Sequence, residues 1–224
     1  MRLLATGGFS FVYLAHDEND VPVAIKEYRI AEDDRSKFLH GMRCFFEEGR
    51  ALTRLSHPNV VRVLNFFRAN DTAYMVMRYE RGRSLHEHVR SRRGPLEDAW
   101  IRGTFIQLLN GLREVHSTKL LHLDIKPEIV YIRNDGTPLL LDFGAARHTL
   151  SEEGMTLPPT YTPGFASPEQ HAERHLLGPW SDIYSIGATL YAAIAGMPPQ
   201  AANLRLEKDE LVPARRAWAG KYSK

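Results

Sequence analysis

Two acidic residues that follow apolar segments constrain the fold and the chemistry of this chain more than any other feature of its sequence. Asp124 lies in the segment 121–128, Leu-His-Leu-Asp-Ile-Lys-Pro-Glu, and Asp142 begins an Asp-Phe-Gly triplet. Phosphoryl transfer uses two carboxylates on separate loops, one to orient a hydroxyl and one to hold Mg²⁺. Lys126 would neutralise charge on the transferred group. A short His…Asp pair alone is more often a structural loop, so the prediction of a phosphoryl-transfer site depends on the surrounding motifs.

Composition and charge exclude several other classes. A chain of 224 residues with 43% hydrophobic and 25% charged residues is globular rather than disordered, with one domain or two closely joined lobes. The net charge of +2 gives no reason to propose nucleic-acid binding, and Arg90, Arg92 and Arg93 are most simply a solvated helix end. The single Cys44 fits a reducing, cytoplasmic location. The longest apolar run, 186–197, is too short to be a membrane segment, and no signal peptide is evident.

Glycine and alternating residues predict a strand-rich beginning. Residues 4–13 form the pattern of a strand, a glycine turn and a second strand. The Gly7-Gly8 turn would let backbone N–H groups approach phosphates, although such a turn is usually only a hairpin. Residues 21–26 predict a third strand, in which alternation places Lys26 on the same face as Ala24.

A helix follows, and it carries a carboxylate on its apolar side. Apolar residues recur at helical spacing between 38 and 55, and Glu48 lies within that stripe. A carboxylate that faces a core is costly unless it is paired. We therefore predict that Glu48 pairs with Lys26.

The remaining pattern shifts from strands to helices near residue 80. Strands are predicted at 60–67 and 73–79 with a turn at Asn70-Asp71, and Ser84 with Glu87 has the spacing of a capping box. Apolar residues predict a long helix after Pro95, and a hairpin is predicted around 134–136.

Taken together, the motifs resemble the protein kinase domain of the bacterial serine/threonine (eukaryotic-like) kinase family. They are, in order, G-G-F-x-x-V-Y at 7–13, V-A-I-K at 23–26, Glu48, H-P-N-V-V at 57–61, H-x-D-I-K-P-E at 122–128, D-F-G at 142–144, T-P-G-F-x-x-P-E at 162–169 and S-D-I-Y-S-I-G at 181–187. The resemblance implies an α+β, two-lobed fold. A small antiparallel β-sheet lobe with one helix (1–79) would be joined by a hinge (80–83) to a mainly helical, incomplete C-lobe (84–224).

The resemblance also implies binding of ATP and Mg²⁺. The nucleotide positions would be Leu4, Gly7, Gly8, Phe9, Ser10, Val12, Ala24, Lys26, Met77, Arg78, Glu80 and Tyr131. Lys26 would hold the α- and β-phosphates while pairing with Glu48, and Asp142 would bind Mg²⁺. The backbone of Arg78 and Glu80 would hydrogen-bond the adenine edge.

Catalysis and its support are implied in the same way. Asp124 would orient a Ser or Thr hydroxyl of a protein substrate, Lys126 would contact the γ-phosphate, and Thr162 would accompany serine/threonine specificity. Asp182 would brace the catalytic loop. A stack of side chains that rests on this base would couple the lobes: Leu52, Val63, Phe143 and His122.

Several positions depart from the family pattern. Ala5 and Ser10 replace loop glycines, which predicts a modest loss of nucleotide affinity. Leu123 replaces an arginine that reads a phosphate, so control through phosphorylation is less expected. Ile129 replaces the asparagine that ligates a second Mg²⁺, and isoleucine has no donor atom. Losing such an element would slow transfer by about 10²–10⁴.

The ends of the chain also depart from the family. The apolar helix over 183–197 would be covered by further C-terminal helices in the family, and Glu169 lacks its usual arginine partner. We therefore interpret the sequence as a truncated domain. The candidate loop phosphorylation sites Ser151, Thr156 and Thr160 are more simply ordinary polar loop residues.

The sequence is compatible with four interpretations of function. The leading one is an ATP-dependent serine/threonine protein kinase. A pseudokinase that binds nucleotide as a scaffold is favoured by Ile129, Leu123 and the truncation. A small-molecule phosphotransferase is disfavoured by Lys126 and by the segment 162–169. A two-lobed protein without a nucleotide site would leave Glu48 and Asp142 unexplained.

Overall fold

The computed structural model describes residues 1–7, 10–29, 35–92, 94–143, 147–148, 161–171 and 176–222. Its strands are β1 (Arg2–Thr6), β2 (Ser10–His16), β3 (Pro22–Tyr28), β4 (Val63–Ala69), β5 (Thr72–Arg78), β6 (Gly82–Ser84), β7 (Leu120–Leu121), β8 (Val130–Arg133), β9 (Pro138–Leu140) and β10 (Arg147–His148). Its helices are α1 (Arg35–Leu52), α2 (Leu85–Ser91), α3 (Asp98–Ser117), α4 (Pro168–His171), α5 (Pro179–Ala195), α6 (Ala202–Glu207) and α7 (Ala214–Ala217). A sheet lobe with one helix precedes a mainly helical lobe, which confirms the predicted α+β fold.

The first lobe is an antiparallel five-stranded sheet in the order β1-β2-β3-β5-β4. Asn70 and Asp71 join β4 to β5 with φ of 50° and 57°, the left-handed backbone that a tight hairpin turn requires. Helix α1 buries Phe45 and Leu52, as its apolar spacing predicts. Helix α1 packs against the sheet at β4 and β5.

The strand predicted at 60–67 begins later than expected, because its first residues pair elsewhere. Val61 N–H donates to Leu140 O and Leu140 N–H donates to Asn59 O, both at 2.9 Å. Residues 59–61 thus run along β9 in the second lobe, and β4 starts only at Val63. This segment is a second attachment between the lobes, besides the interlobe connection (residues 79–81).

The second lobe is organised around α3. Its predicted apolar stripe is buried in full: Ile101, Phe105, Leu108, Leu112 and Val115. Helix α2 begins with the predicted capping box, in which Ser84 Oγ accepts from Glu87 N–H at 3.1 Å and Glu87 Oε2 accepts from Ser84 N–H at 2.9 Å. Strands β6, β8 and β9 form a small sheet beside these helices. The predicted lobe limits remain predictions.

Helix α5 is packed on more than one side. Ile186 and Ala193 join the main core and Ala188 and Ala192 pack against Phe165, whereas Trp180 and Ile183 are 62% and 49% exposed. Two short helices, α6 and α7, follow it. None of the helices formed by the described residues combines the length and apolarity that a bilayer crossing requires.

Candidate active site

Asp124, Lys126 and Thr162 form a closed triangle of hydrogen bonds. Thr162 Oγ1 donates to Asp124 Oδ1 at 2.8 Å and accepts from Lys126 Nζ at 2.8 Å. Lys126 Nζ also donates to Asp124 Oδ2 at 2.7 Å. Thr162 is distant from Asp124 and Lys126 in the sequence, and the fold brings the three side chains together. An aspartate that accepts an alcohol O–H beside a lysine ammonium can orient a hydroxyl nucleophile and neutralise the charge of the group it attacks.

The backbone before Asp124 is held by Asp182, which is buried in the first turn of α5. Its Oδ1 accepts from Leu123 N–H at 2.7 Å and its Oδ2 accepts from His122 N–H at 2.9 Å. His116 Nε2 lies 2.7 Å from the same Oδ2. The predicted bracing of the catalytic loop is therefore present, and His116 is a partner that the sequence did not reveal.

The predicted Lys26–Glu48 ion pair is wrong in this structure. Lys26 instead forms an ion pair with Asp142, and no ion pair under 4 Å joins it to Glu48 among the described residues. The predicted inward position of Glu48 is correct: the residue is buried, and its Oε1 has no hydrogen-bond partner in the described part of the chain.

The charges around Lys26 differ in their burial. Burial raises the pKa of Glu48 to about 8, and the charge of Lys26 opposes this rise. Asp142 is 45% exposed in its side chain and is the charged partner within reach. Although burial opposes the charge of Lys26, Asp142 and then Glu48 hold the pKa of its ammonium above the ordinary value.

A cleft of about 540 Å³ lies between the sheet and the second lobe, next to this ion pair. Every predicted nucleotide residue that the structure describes lines it, namely Leu4, Gly7, Ser10, Val12, Ala24, Lys26, Met77, Arg78, Glu80 and Tyr131. Gly8 and Phe9 lie outside the described residues, as do Arg93, Ser151, Thr156 and Thr160. The cleft is also lined by residues outside the predicted nucleotide positions, among them Val61, Ser84, Glu87, Ile129 and Leu141. Motif spacing could not indicate Val61, because its place depends on the pairing with β9.

An arginine that the sequence analysis missed fixes the interlobe connection. Arg133 donates from Nε to Glu80 Oε2 at 3.0 Å and from Nη2 to Glu80 Oε1 at 3.2 Å, a two-pronged ion pair. Its Nη1 donates to Pro58 O at 2.8 Å. Gly82 follows, where a Cβ would lie 2.1 Å from Ile132 O, so this close approach requires glycine. The rim of the cleft is thus held in place by β8.

The cleft has the donor chemistry for one Mg²⁺. Asp142 lines it with a partly exposed carboxylate, and Mg²⁺ is commonly held by one or two carboxylates together with substrate phosphates. Ile129 also lines the cleft, but its side chain offers no oxygen. Within the described ranges no cluster of three His, Cys, Asp or Glu side chains suits a metal ion. The single carboxylate therefore fits a Mg²⁺ ion that takes its further ligands from nucleotide phosphates.

Comparison with known proteins decides the family. The family model described as "Protein kinase domain" matches residues 1–216. The chain belongs to the protein kinase domain family. Serine/threonine-protein kinase B of Synechocystis sp. is 30% identical to it over 225 residues, which cover 94% of this chain and 39% of that protein. Serine/threonine-protein kinase PrkC of Bacillus subtilis is 31% identical over 204 residues, or 89% and 30% of the two chains.

A solved structure agrees with this assignment. The kinase domain matches "PpkA-294 apo form" with a TM-score of 0.84 and 33% identity, covering 99% of this chain and 84% of that one. The kinase domain spans 39% and 30% of the lengths of the two relatives named above. The predicted family and fold are therefore confirmed, while the roles of single residues remain predictions.

Proposed function

We propose that this kinase domain transfers the γ-phosphate of ATP to Ser or Thr hydroxyls of protein substrates. The hydrogen bond from Thr162 Oγ1 to Asp124 Oδ1 carries the proposal. It is the contact that a substrate threonine would make, formed here by a threonine of the chain itself. The names of the related serine/threonine kinases support the same class of acceptor.

The chain's residues divide the task among themselves. The adenine would lie between Ala24 and Tyr131, with its edge against the interlobe connection. Lys26, which already binds an anionic oxygen of Asp142, would bind the phosphates. Asp142 would hold Mg²⁺, which when bound supplies positive charge beside the transferred phosphate. Asp124 would orient the acceptor hydroxyl while Lys126 faces the γ-phosphate.

A nucleotide-binding scaffold without catalysis is the second candidate, and Ile129 favours it. This side chain lies on the cleft lining where a second metal would need an oxygen ligand. Phosphoryl transfer with one metal ligand set missing would be slow, by about 10²–10⁴ relative to a complete site. The cytoplasmic location, the protein substrate and the absence of nucleic-acid partners remain predictions.

The proposal is tested by measuring phosphate transfer from labelled ATP. The assay contains Mg²⁺ and a mixture of peptides with Ser, Thr and Tyr. We expect phosphoserine and phosphothreonine, and a loss of at least about 10²-fold in Asp124→Asn and Lys26→Met. Asp209→Asn removes an ion-paired aspartate outside the cleft, whose partner is Arg205 at 3.0 Å, and should leave the rate unchanged. Ile129→Asn should raise the rate by restoring an oxygen ligand.

Two results would reject the kinase proposal. If the folded protein binds ATP but transfers no phosphate, and Ile129→Asn does not restore transfer, the scaffold is the function. If a small alcohol is phosphorylated and no peptide is, the acceptor class is wrong.

A further inference from the structure

Leu123, the residue before Asp124, has an unusual backbone. Its φ is +63°, in the left-handed region that a leucine rarely occupies because its Cβ crowds the following carbonyl. Such a conformation persists only where the surroundings impose it. The backbone conformation of Leu123 sets the direction in which the Asp124 side chain points. The contacts that hold the Leu123 backbone therefore also position the Asp124 carboxylate.

Two side chains hold the Leu123 backbone from opposite ends. Asp182 Oδ1 accepts from its N–H at 2.7 Å, and Gln170 Nε2 donates to its carbonyl at 2.8 Å. We call this arrangement the Leu123 clamp. The Asp182 arm comes from α5, whereas the Gln170 arm comes from α4, in the segment 161–171 that also contains Thr162.

Gln170 also has a simpler role, which accounts for two of the three hydrogen bonds of its side chain. Its Oε1 accepts from Ser167 N–H at 3.0 Å and from Ser167 Oγ at 3.3 Å, as the third residue of a helix does in a capping box. A glutamate would serve that purpose equally well. The amide Nε2 has no part in capping, and its contact is with Leu123 O.

We propose that Gln170 is a positioning residue for Asp124, which it aligns by keeping Leu123 in the left-handed conformation. The segment 161–171 then contacts two successive residues of the catalytic loop, through Thr162 at Asp124 and through Gln170 at Leu123. Packing of the segment 161–171 against the catalytic loop therefore sets the rate of phosphoryl transfer. This inference rests on the proposed kinase function.

Gln170→Glu separates the two roles, because it keeps the acceptor for Ser167 and removes the donor to Leu123. We expect single-turnover phosphate transfer to slow about tenfold, the effect of one lost hydrogen bond, with ATP affinity unchanged. Hydrogen exchange in the peptide covering residues 121–126 should become faster. Gln200→Glu is the matched control: Gln200 donates to Lys208 O at 2.8 Å and accepts from Glu210 N–H at 2.8 Å, away from the cleft. It should change neither readout.

The same substitution in a Leu123→Gly background tests the mechanism. Glycine occupies left-handed backbone about as readily as right-handed. Removing the Gln170 arm should therefore cost at most about twofold there, and comparison within the background cancels the effect of the lost leucine side chain. If Gln170→Glu fails to fold, Gln170→Met, which keeps the side-chain length, is measured instead.

Three results would overturn the proposal: unchanged exchange in residues 121–126, equal losses in both backgrounds, or a loss confined to ATP affinity. If the wild-type protein transfers no phosphate, the kinase function fails, and hydrogen exchange still decides whether Gln170 holds Leu123.

Discussion

At the scale of single residues, Lys26 pairs with the more exposed of the two acidic residues that were expected near it. Glu48 has the position that its sequence spacing predicts, yet its buried carboxyl does not hold Lys26. The half-exposed Asp142 does so instead. Sequence spacing can assign a side chain to one face of a helix. It does not show how far that face is buried from solvent, and the burial determines whether a carboxylate there stays protonated.

This neutral carboxyl has a consequence for the pH dependence of stability. The pKa of Glu48 rises from 4.5 to about 8 on folding, so the unfolded chain releases this proton first as pH rises. Glu48 therefore contributes most favourably below about pH 4.5, and that contribution is lost progressively up to about pH 8.

We expect Glu48→Gln to gain in unfolding free energy relative to the wild type between pH 5 and pH 8. The gain would be a few kcal/mol at most, at about 1.4 kcal/mol for each unit of pKa shift. Denaturant unfolding at the two pH values measures it. Glu47→Gln, the exposed neighbour that pairs with Arg43 at 3.5 Å, should keep the wild-type pH dependence. An equal gap between wild type and Glu48→Gln at both pH values would contradict the prediction.

At the scale of helices and strands, sequence patterns predicted the structure correctly where it depends only on residues close together in the sequence. The stripe of α3, the capping box of α2 and the Asn70-Asp71 turn are formed as expected. The start of β4 was wrong, because Val61 finds its partner in β9, a strand far along the chain. For the same reason the contacts of Arg133 with Glu80 and of Gln170 with Leu123 could not be inferred from sequence spacing.

The packing of α2 on α3 includes a histidine that should make it sensitive to acid. His88 stacks on Trp100 with ring centroids 4.8 Å apart, and neither of its buried ring nitrogens has a hydrogen-bond partner within the described residues. Burial, followed by the charges of Arg83 and Arg92, lowers the pKa of His88 below 6.5. The unfolded chain therefore takes up this proton first as the pH falls below 6.5.

His88→Phe keeps the stacking ring and removes the proton uptake. We expect its melting temperature to fall less than that of the wild type between pH 7 and pH 5, with a difference of a few degrees at most because the group is only partly buried. His16→Phe, at the exposed end of β2, serves as the control. Parallel losses in wild type and His88→Phe would contradict the prediction, because they would show that the stacked ring takes up its proton in the folded protein as readily as in the unfolded chain.

At the scale of the whole molecule, Asn59 links the two lobes. It is 4% exposed, and its Nδ2 donates to Pro138 O at 2.7 Å while its own backbone carbonyl accepts from Leu140 N–H.

Asn59→Ala would leave the buried Pro138 carbonyl without this donor, which costs about 1–3 kcal/mol of unfolding free energy. Asn65→Ala, an exposed asparagine on β4, should change stability by less than about 0.5 kcal/mol. Denaturant unfolding compares them, and equal losses would contradict the prediction.

The segment 59–61 and the interlobe connection fasten the sheet lobe to the helical lobe at two separate points. Two attachments separated in space define an axis, so we expect the lobes to move relative to each other mainly by rotation about the line that joins them. Such a rotation would widen or narrow the cleft beside the Lys26–Asp142 ion pair.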